Sequence, residues 1–320
     1  MPPPLILLCP GQGAQAVGMG KAWYDASAEA RAVFDEADRA LGDRLGAKLT
    51  DLCFSGPADR LNRTDISQPA IYTASVASWR GLIAKWGYGN GESHLTAIAG
   101  LSLGEYTALH IAGAFSFLDG LELVTLRGRA MQDAAEAAPG GSGMLALIGA
   151  DEAQAQAVCD TARGADVLVC ANFNAPGQVV LSGSKAAIER AAAAAMETGL
   201  RSTPLPVAGA FHSPIMAPAA QRLAQALSRT TLHDPRCPVI SNVTARPHAP
   251  GTGRTMADSI RQLLVDQLTS PVRWEQSCRT LLSIAAGAQG HELAPGATLA
   301  GLMRRIDKPT KVISHDKPDA

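Results

Sequence analysis

Gly100-Leu101-Ser102-Leu103-Gly104-Glu105-Tyr106 sets a serine in G-x-S-x-G spacing, directly after the apolar run Leu95–Ala99 and directly before a helical pattern. In a strand–turn–helix this spacing makes a nucleophile elbow, because the two glycines remove side chains that would collide where strand and helix meet. Ser102 then stands at the tip, beside helix N-terminal N–H groups that can receive an oxyanion. Glu105 falls in the first turn of that helix, where the helix dipole alone accounts for an acidic residue.

A serine nucleophile needs a base, and the chain offers seven histidines. His110 lies eight residues along the elbow's own helix, about 12 Å away at 1.5 Å per residue, and is out of reach. His94, His233, His248 and His315 fall in predicted turns or termini and read as solvated. His212 and His291 follow extended segments, where the sites of open α/β sheets gather. Gly209 and Pro214 mark a fixed turn around His212, which favours it, against the competing reading of a structural histidine.

A cation also draws notice. Over 116–135, Phe117, Leu121, Val124, Gly128, Met131 and Ala135 recur at spacings of three and four, and Arg127 falls on the same inward face. A buried guanidinium cannot escape by deprotonation and requires an anion, either a structural carboxylate or a carboxylated substrate. Periodicity leaves both open.

These groups must be positioned by a core, and the pattern of elements is α/β. Residues 5–9 read as a strand buried on both faces, delivering the loop Gly11-Gln12-Gly13-Ala14-Gln15. That loop fits a degenerate G-x-G-x-x-A. A dinucleotide fingerprint also wants an immediate helix and an acidic residue closing a second strand, whereas Asp35, Glu36 and Asp38 lie inside an amphipathic helical pattern over 21–41. Further helices are predicted from Gln68 to Trp86, with Pro69 in the first turn, and from 256 to 268. A buried strand is expected over 238–243, a short strand ending at His291 and a loose tail after the last helix. Between them, residues 140–206 run strand, helix, strand, strand, helix, strand. That βαββαβ order matches the ferredoxin-like split motif. The expected architecture is a large α/β-hydrolase-like domain with a parallel sheet, 1–138 and 207–320, carrying a small ferredoxin-like insertion at 139–206.

Composition narrows the class of function. The 320 residues are 47% hydrophobic and 18% charged with a net charge of −1, which excludes the electrostatic footprint of a nucleic-acid or anionic-membrane binder. The six cysteines are scattered without a C-x-x-C pair and read as reduced core residues. No basic leader and no apolar run of membrane-spanning length is present in the sequence, so a cytoplasmic setting is expected, with no metal.

Seven ordered segments resemble the malonyl-CoA:acyl carrier protein transacylases of fatty-acid synthesis and the related acyltransferase domains of polyketide synthases. They are Pro10-Gly11-Gln12-Gly13-Ala14-Gln15, Gly100-Leu101-Ser102-Leu103-Gly104-Glu105, the arginine segment 126–132, the hairpin 171–178, Gly209-Ala210-Phe211-His212-Ser213, the segment 267–274, and Pro295-Gly296 with Arg304-Arg305-Ile306. The resemblance implies Ser102 as nucleophile, His212 as general base and the main-chain carbonyl of Gln267 as the third member of the set. It implies Leu103 and Gln12 as oxyanion donors, Arg127 as partner of the malonyl carboxylate, and Met131 and Phe211 as lining of the acyl pocket. Malonyl-CoA and holo acyl carrier protein are the implied partners of a monomer, with coenzyme A entering as a thioester substrate and no cofactor. The family's usual histidine before the serine is Leu101 here, a change shared by some acyl hydrolases. Hydrolysis of carrier-protein thioesters and non-catalytic carrier-protein docking are the alternatives.

Overall fold

The computed structural model describes residues 4–87 and 95–318; His94 lies outside the described residues. Its strands are β1 (Leu5–Cys9), β2 (Leu95–Gly100), β3 (Ser142–Ile148), β4 (Leu168–Ala175), β5 (Gln178–Ser184), β6 (Arg201–Pro204), β7 (Val239–Ile240), β8 (Gln289–Leu293) and β9 (Val312–His315). Continuous apolar runs become central strands here because helices cover both faces: Leu5–Cys9 is buried throughout. Among the described residues, β7-β2-β1-β8-β9 form one wholly parallel sheet. The second sheet, β4-β5-β3-β6, is antiparallel, with helices Glu152–Ala162 and Lys185–Glu197 filling the two crossovers. That strand order is the ferredoxin-like one expected from 140–206, set beside a larger α/β unit.

The two units are joined at several points. Phe173 donates its N–H to the Val272 carbonyl at 2.9 Å and Val272 returns one to Ala171 at 2.8 Å, so the hairpin β4–β5 and segment 267–274 share a short ladder. Ser182 on β5 donates its hydroxyl to the Phe211 carbonyl at 2.6 Å, tying the small sheet to the turn that carries His212.

Several expectations require correction. The pattern over 21–41 is two helices, Lys21–Ala26 and Ala28–Leu41, because the Ser27 hydroxyl accepts the Ala30 N–H and starts a new helix. The helix expected from Gln68 begins at Thr64, which puts Pro69 and Gln68 inside it. The strand expected over 238–243 shrinks to two residues, and the chain beyond it turns back through 241–248. The tail is not loose: β9 pairs with β8, and Trp23 donates its indole N–H to the His315 carbonyl at 2.8 Å. His315 is buried, not solvated, with Nε2 2.7 Å from His291 Nδ1. His291 lies mid-strand opposite Leu7, with Trp86 edge-on to both imidazoles. This pair belongs to the sheet core.

Candidate active site

The elbow is sterically strict. A Cβ on Gly100 would stand 1.9 Å from the Gly104 carbonyl carbon, and one on Gly104 would stand 2.0 Å from the Cys9 oxygen. Neither position accepts any other residue. Ser102 takes the left-handed conformation at φ 52°, which costs a non-glycine residue energy and lifts its side chain off the strand end. Asn242, just past β7, clasps the turn: its Oδ1 accepts the Ser102 N–H at 2.6 Å and its Nδ2 donates to the Gly100 carbonyl at 2.7 Å.

His212 also sits at positive φ, 58°, and its Nε2 lies 2.9 Å from Ser102 Oγ. Its Nδ1 is 2.7 Å from the main-chain carbonyl of Gln267. A carbonyl only accepts, so Nδ1 carries the proton and Nε2 presents a lone pair to the serine hydroxyl. Burial above all, and the Arg127 cation next, push the imidazole down to about 4, against the Gln267 carbonyl, which favours the protonated ring. His212 is therefore neutral near pH 7, the form a base requires.

Arg127 is 1% exposed on the helix Phe117–Glu136. It donates Nη1–H to Gln68 Oε1 at 2.7 Å, and Nη2–H groups to Ser102 Oγ and Gln267 Oε1, both at 3.0 Å. Its guanidinium lies 5.4 Å from the centre of the Tyr106 ring. Burial lowers its pKa, with Tyr106 and Glu105 acting in the opposite sense. Among the described residues no carboxylate pairs with it, and its buried Nε–H has no acceptor. The structural ion pair left open by periodicity is absent there.

The remaining residues lie around these. A Cβ on Gly11 would stand 2.2 Å from the Leu101 carbonyl oxygen, so the loop carrying Gln12 presses directly on the elbow. The Gln12 side chain donates to Thr64 Oγ1 at 3.2 Å. Among the described residues no protein acceptor takes the main-chain N–H of Gln12 or of Leu103, the residue that precedes the helix Gly104–Ile111. Buried Met131 accepts at sulfur from Gln68 Nε2, 3.4 Å, one bond removed from Arg127. Phe211 is buried immediately before His212. His110 bonds the Phe115 carbonyl and His233 is exposed, both away from the serine.

Sequence reasoning missed Gln68, Asn242 and the partnership of Glu105 with His248. Gln68 was hidden by taking Pro69 as a helix start; Asn242 sits in a turn with no periodic signal. His248, expected in solvent, is buried with Nε2 2.8 Å from Glu105 Oε1. Among the described residues no cluster of three or more His, Cys, Asp or Glu side chains could hold a metal ion, and no helix is long and apolar enough to cross a membrane.

A serine on a strand–helix elbow with a histidine on its hydroxyl, at the N-terminus of a helix, is the arrangement of an acyl-transfer protein. Residues 6–311 match the acyl transferase domain family, and the chain belongs to that family. It is 40% identical over 317 residues to the malonyl CoA-acyl carrier protein transacylase of Escherichia coli K12, covering 97% of this chain and 95% of that one. Among solved structures it resembles the acyl-carrier-protein S-malonyltransferase of Bartonella henselae, with TM-score 0.90, 37% identity and coverage of 99% and 96%. It also resembles a malonyl-transacylase in complex with its type II polyketide-synthase acyl carrier protein, with TM-score 0.89, 35% identity and coverage of 98% and 96%.

Proposed function

We propose that this acyltransferase moves a malonyl group from malonyl-CoA to the phosphopantetheine thiol of holo acyl carrier protein through a malonyl-Ser102 ester, supplying fatty-acid or polyketide synthesis. The observation that carries this reading is Arg127, a buried cation on the oxygen of Ser102 with, among the described residues, no carboxylate partner and no acceptor for its Nε–H. A substrate that brings its own carboxylate suits this buried cation. The relatives' names point the same way.

In the first half-reaction Ser102 Oγ attacks the thioester carbonyl while His212 Nε2 takes the hydroxyl proton. The N–H groups of Leu103 and Gln12 receive the oxyanion, and the carbon–sulfur bond breaks as His212 returns the proton to the departing coenzyme A thiolate. In the second half-reaction the carrier-protein thiol loses its proton to His212 and attacks the ester carbonyl, and the proton then goes back to Ser102 Oγ. Gln267 holds the imidazole in the working tautomer throughout through its main-chain carbonyl. Arg127 anchors the distal carboxylate, with Met131 and Phe211 limiting bulk beside the acyl chain.

Intact-mass spectrometry tests the scheme. The protein mixed with malonyl-CoA should gain one malonyl group, lost from Ser102→Ala, and addition of holo carrier protein should move that mass to the carrier. Release of free malonate without carrier acylation would show a hydrolase; carrier binding with no adduct at any stage would show a docking module.

A further inference from the structure

Glu105 is fully buried in the first turn of the elbow helix, and a helix dipole does not explain the partners it has gathered. Its Oε2 accepts the Asn242 N–H at 3.0 Å and Gln267 Nε2 at 2.7 Å, and His248 Nε2 meets its Oε1 at 2.8 Å. All three are donors, so the carboxylate serves only as an acceptor. Asn242 is the residue that clasps the Ser102 turn, by Oδ1 to the Ser102 N–H and Nδ2 to the Gly100 carbonyl. Gln267 is the residue whose main-chain carbonyl orients His212; its Nε2 also reaches the Ser102 carbonyl at 3.0 Å and its Oε1 takes Arg127.

The geometry points to Glu105 as the positioning residue of the acyl-transfer site: one buried carboxylate fixes, through Asn242 and Gln267, both the strained backbone of the nucleophile and the carbonyl that aims its base. His248 completes it as the third donor. The Nε2–H tautomer leaves Nδ1 as a bare acceptor, which accounts for the unpartnered buried nitrogen there. The arrangement suits the chemistry. Ser102 is held at positive φ, His212 answers to a neutral carbonyl in place of a carboxylate, and neither alone locks the 2.9 Å contact between them. A shared anchor behind both makes their separation a property of one rigid network.

This inference rests on the proposed Ser102–His212 chemistry, and Ser102→Ala is measured in parallel to separate the two. Glu105→Gln keeps the size but turns an N–H₂ group against one set of donors. It should lower kcat for malonyl transfer about 10- to 100-fold, with KM for malonyl-CoA within about twofold, as expected for misaligned reacting groups. Asn242→Ala should behave alike, and the double variant should be no slower than the worse single one, because both break the same network. His248→Gln, which restores an N–H donor, should recover the kcat that His248→Leu loses. Wild-type kcat in Glu105→Gln, additive losses in the double variant, or kcat that merely follows the folded fraction in a melting curve overturns the inference. If Glu105→Gln fails to fold, an unchanged kcat in Asn242→Ala overturns it equally. Transfer that survives Ser102→Ala would sink the proposed function itself, whereas transfer lost in Ser102→Ala but intact in Glu105→Gln sinks only the role of Glu105.

Discussion

Replacing Arg127 by alanine tests substrate choice most directly. Of the five guanidinium N–H groups, one on Nη1 and two on Nη2 are bonded to Gln68, Ser102 and Gln267, so a carboxylate that binds side-on pairs the free Nε–H with an Nη2–H released by Ser102 or Gln267. Two charge-assisted hydrogen bonds to a malonyl carboxylate are worth about 1.5–3 kcal/mol each. Part of that sum is surrendered in desolvating the carboxylate and in loosening the Ser102 contact, so a net preference of about 2–3 kcal/mol over acetyl is expected. At about 1.4 kcal/mol per decade this is roughly 30- to 150-fold in kcat/KM.

Acetyl transfer provides the internal control. In the proposed scheme it uses Ser102, His212 and the oxyanion donors but has no group for Arg127 to bind. Removing the guanidinium also withdraws one of the two influences that weaken His212 as a base. Arg127→Ala should thus cut malonyl transfer by about two orders of magnitude while acetyl transfer holds or improves, and Arg127→Lys should fall between, having charge without the bidentate fork. The assay is steady-state transfer to holo carrier protein from each thioester, with melting temperature measured alongside. A malonyl-to-acetyl ratio unchanged from wild type, with both rates falling together, would refute the reasoning and return Arg127 to a structural role.

Two further predictions concern protons. With His212 as the proposed neutral base, held at about 4, kcat/KM for malonyl-CoA should stay level as pH falls to about 5 and drop only below that. In Arg127→Ala the drop should move to higher pH, and a wild-type limb near 6.5 would contradict the assignment. The fold should also weaken in acid. His110, His212, His291 and His315 are each pushed down to about 4 by burial, against about 6.5 when unfolded, so the unfolded chain binds more protons between these values. Stability from these groups is complete above about 6.5 and is lost as pH falls through 4. His315→Gln, which removes one proton site from the His291 pair, should flatten that decline in melting temperature; parallel curves for variant and wild type would count against it.

What could be read from the chain, and what could not, divides along physical lines. Gly100 was readable because the clash it avoids is local, with the Gly104 main chain four residues on, whereas Gly104 makes room for the distant Cys9 carbonyl and was readable only through the motif's spacing. The βαββαβ order of 140–206 was readable because strand and helix periods are local as well. Glu105 and His248 were not, for they lie 143 positions apart and nothing in either neighbourhood announces the other. The strand β9 escaped for a related reason: its four residues are mostly half-buried, show no alternation, and owe their conformation to pairing with β8. Gln68 was hidden because proline preference in a helix's first turn set the helix start at Gln68, four residues late, so it stood at the helix's edge with no inward face to place it on. The raised serine thus draws partly on short-range sterics at Gly100 and partly on the close approach of β1 to Gly104, while its alignment with His212 is a consequence of long-range bonds to main chain and amides. A G-x-S-x-G segment alone says that a serine can be raised on a turn. Whether that serine faces a base at 2.9 Å depends on Asn242 and Gln267, which lie 140 and 165 positions away and reach it, and its neighbour Glu105, only across the fold.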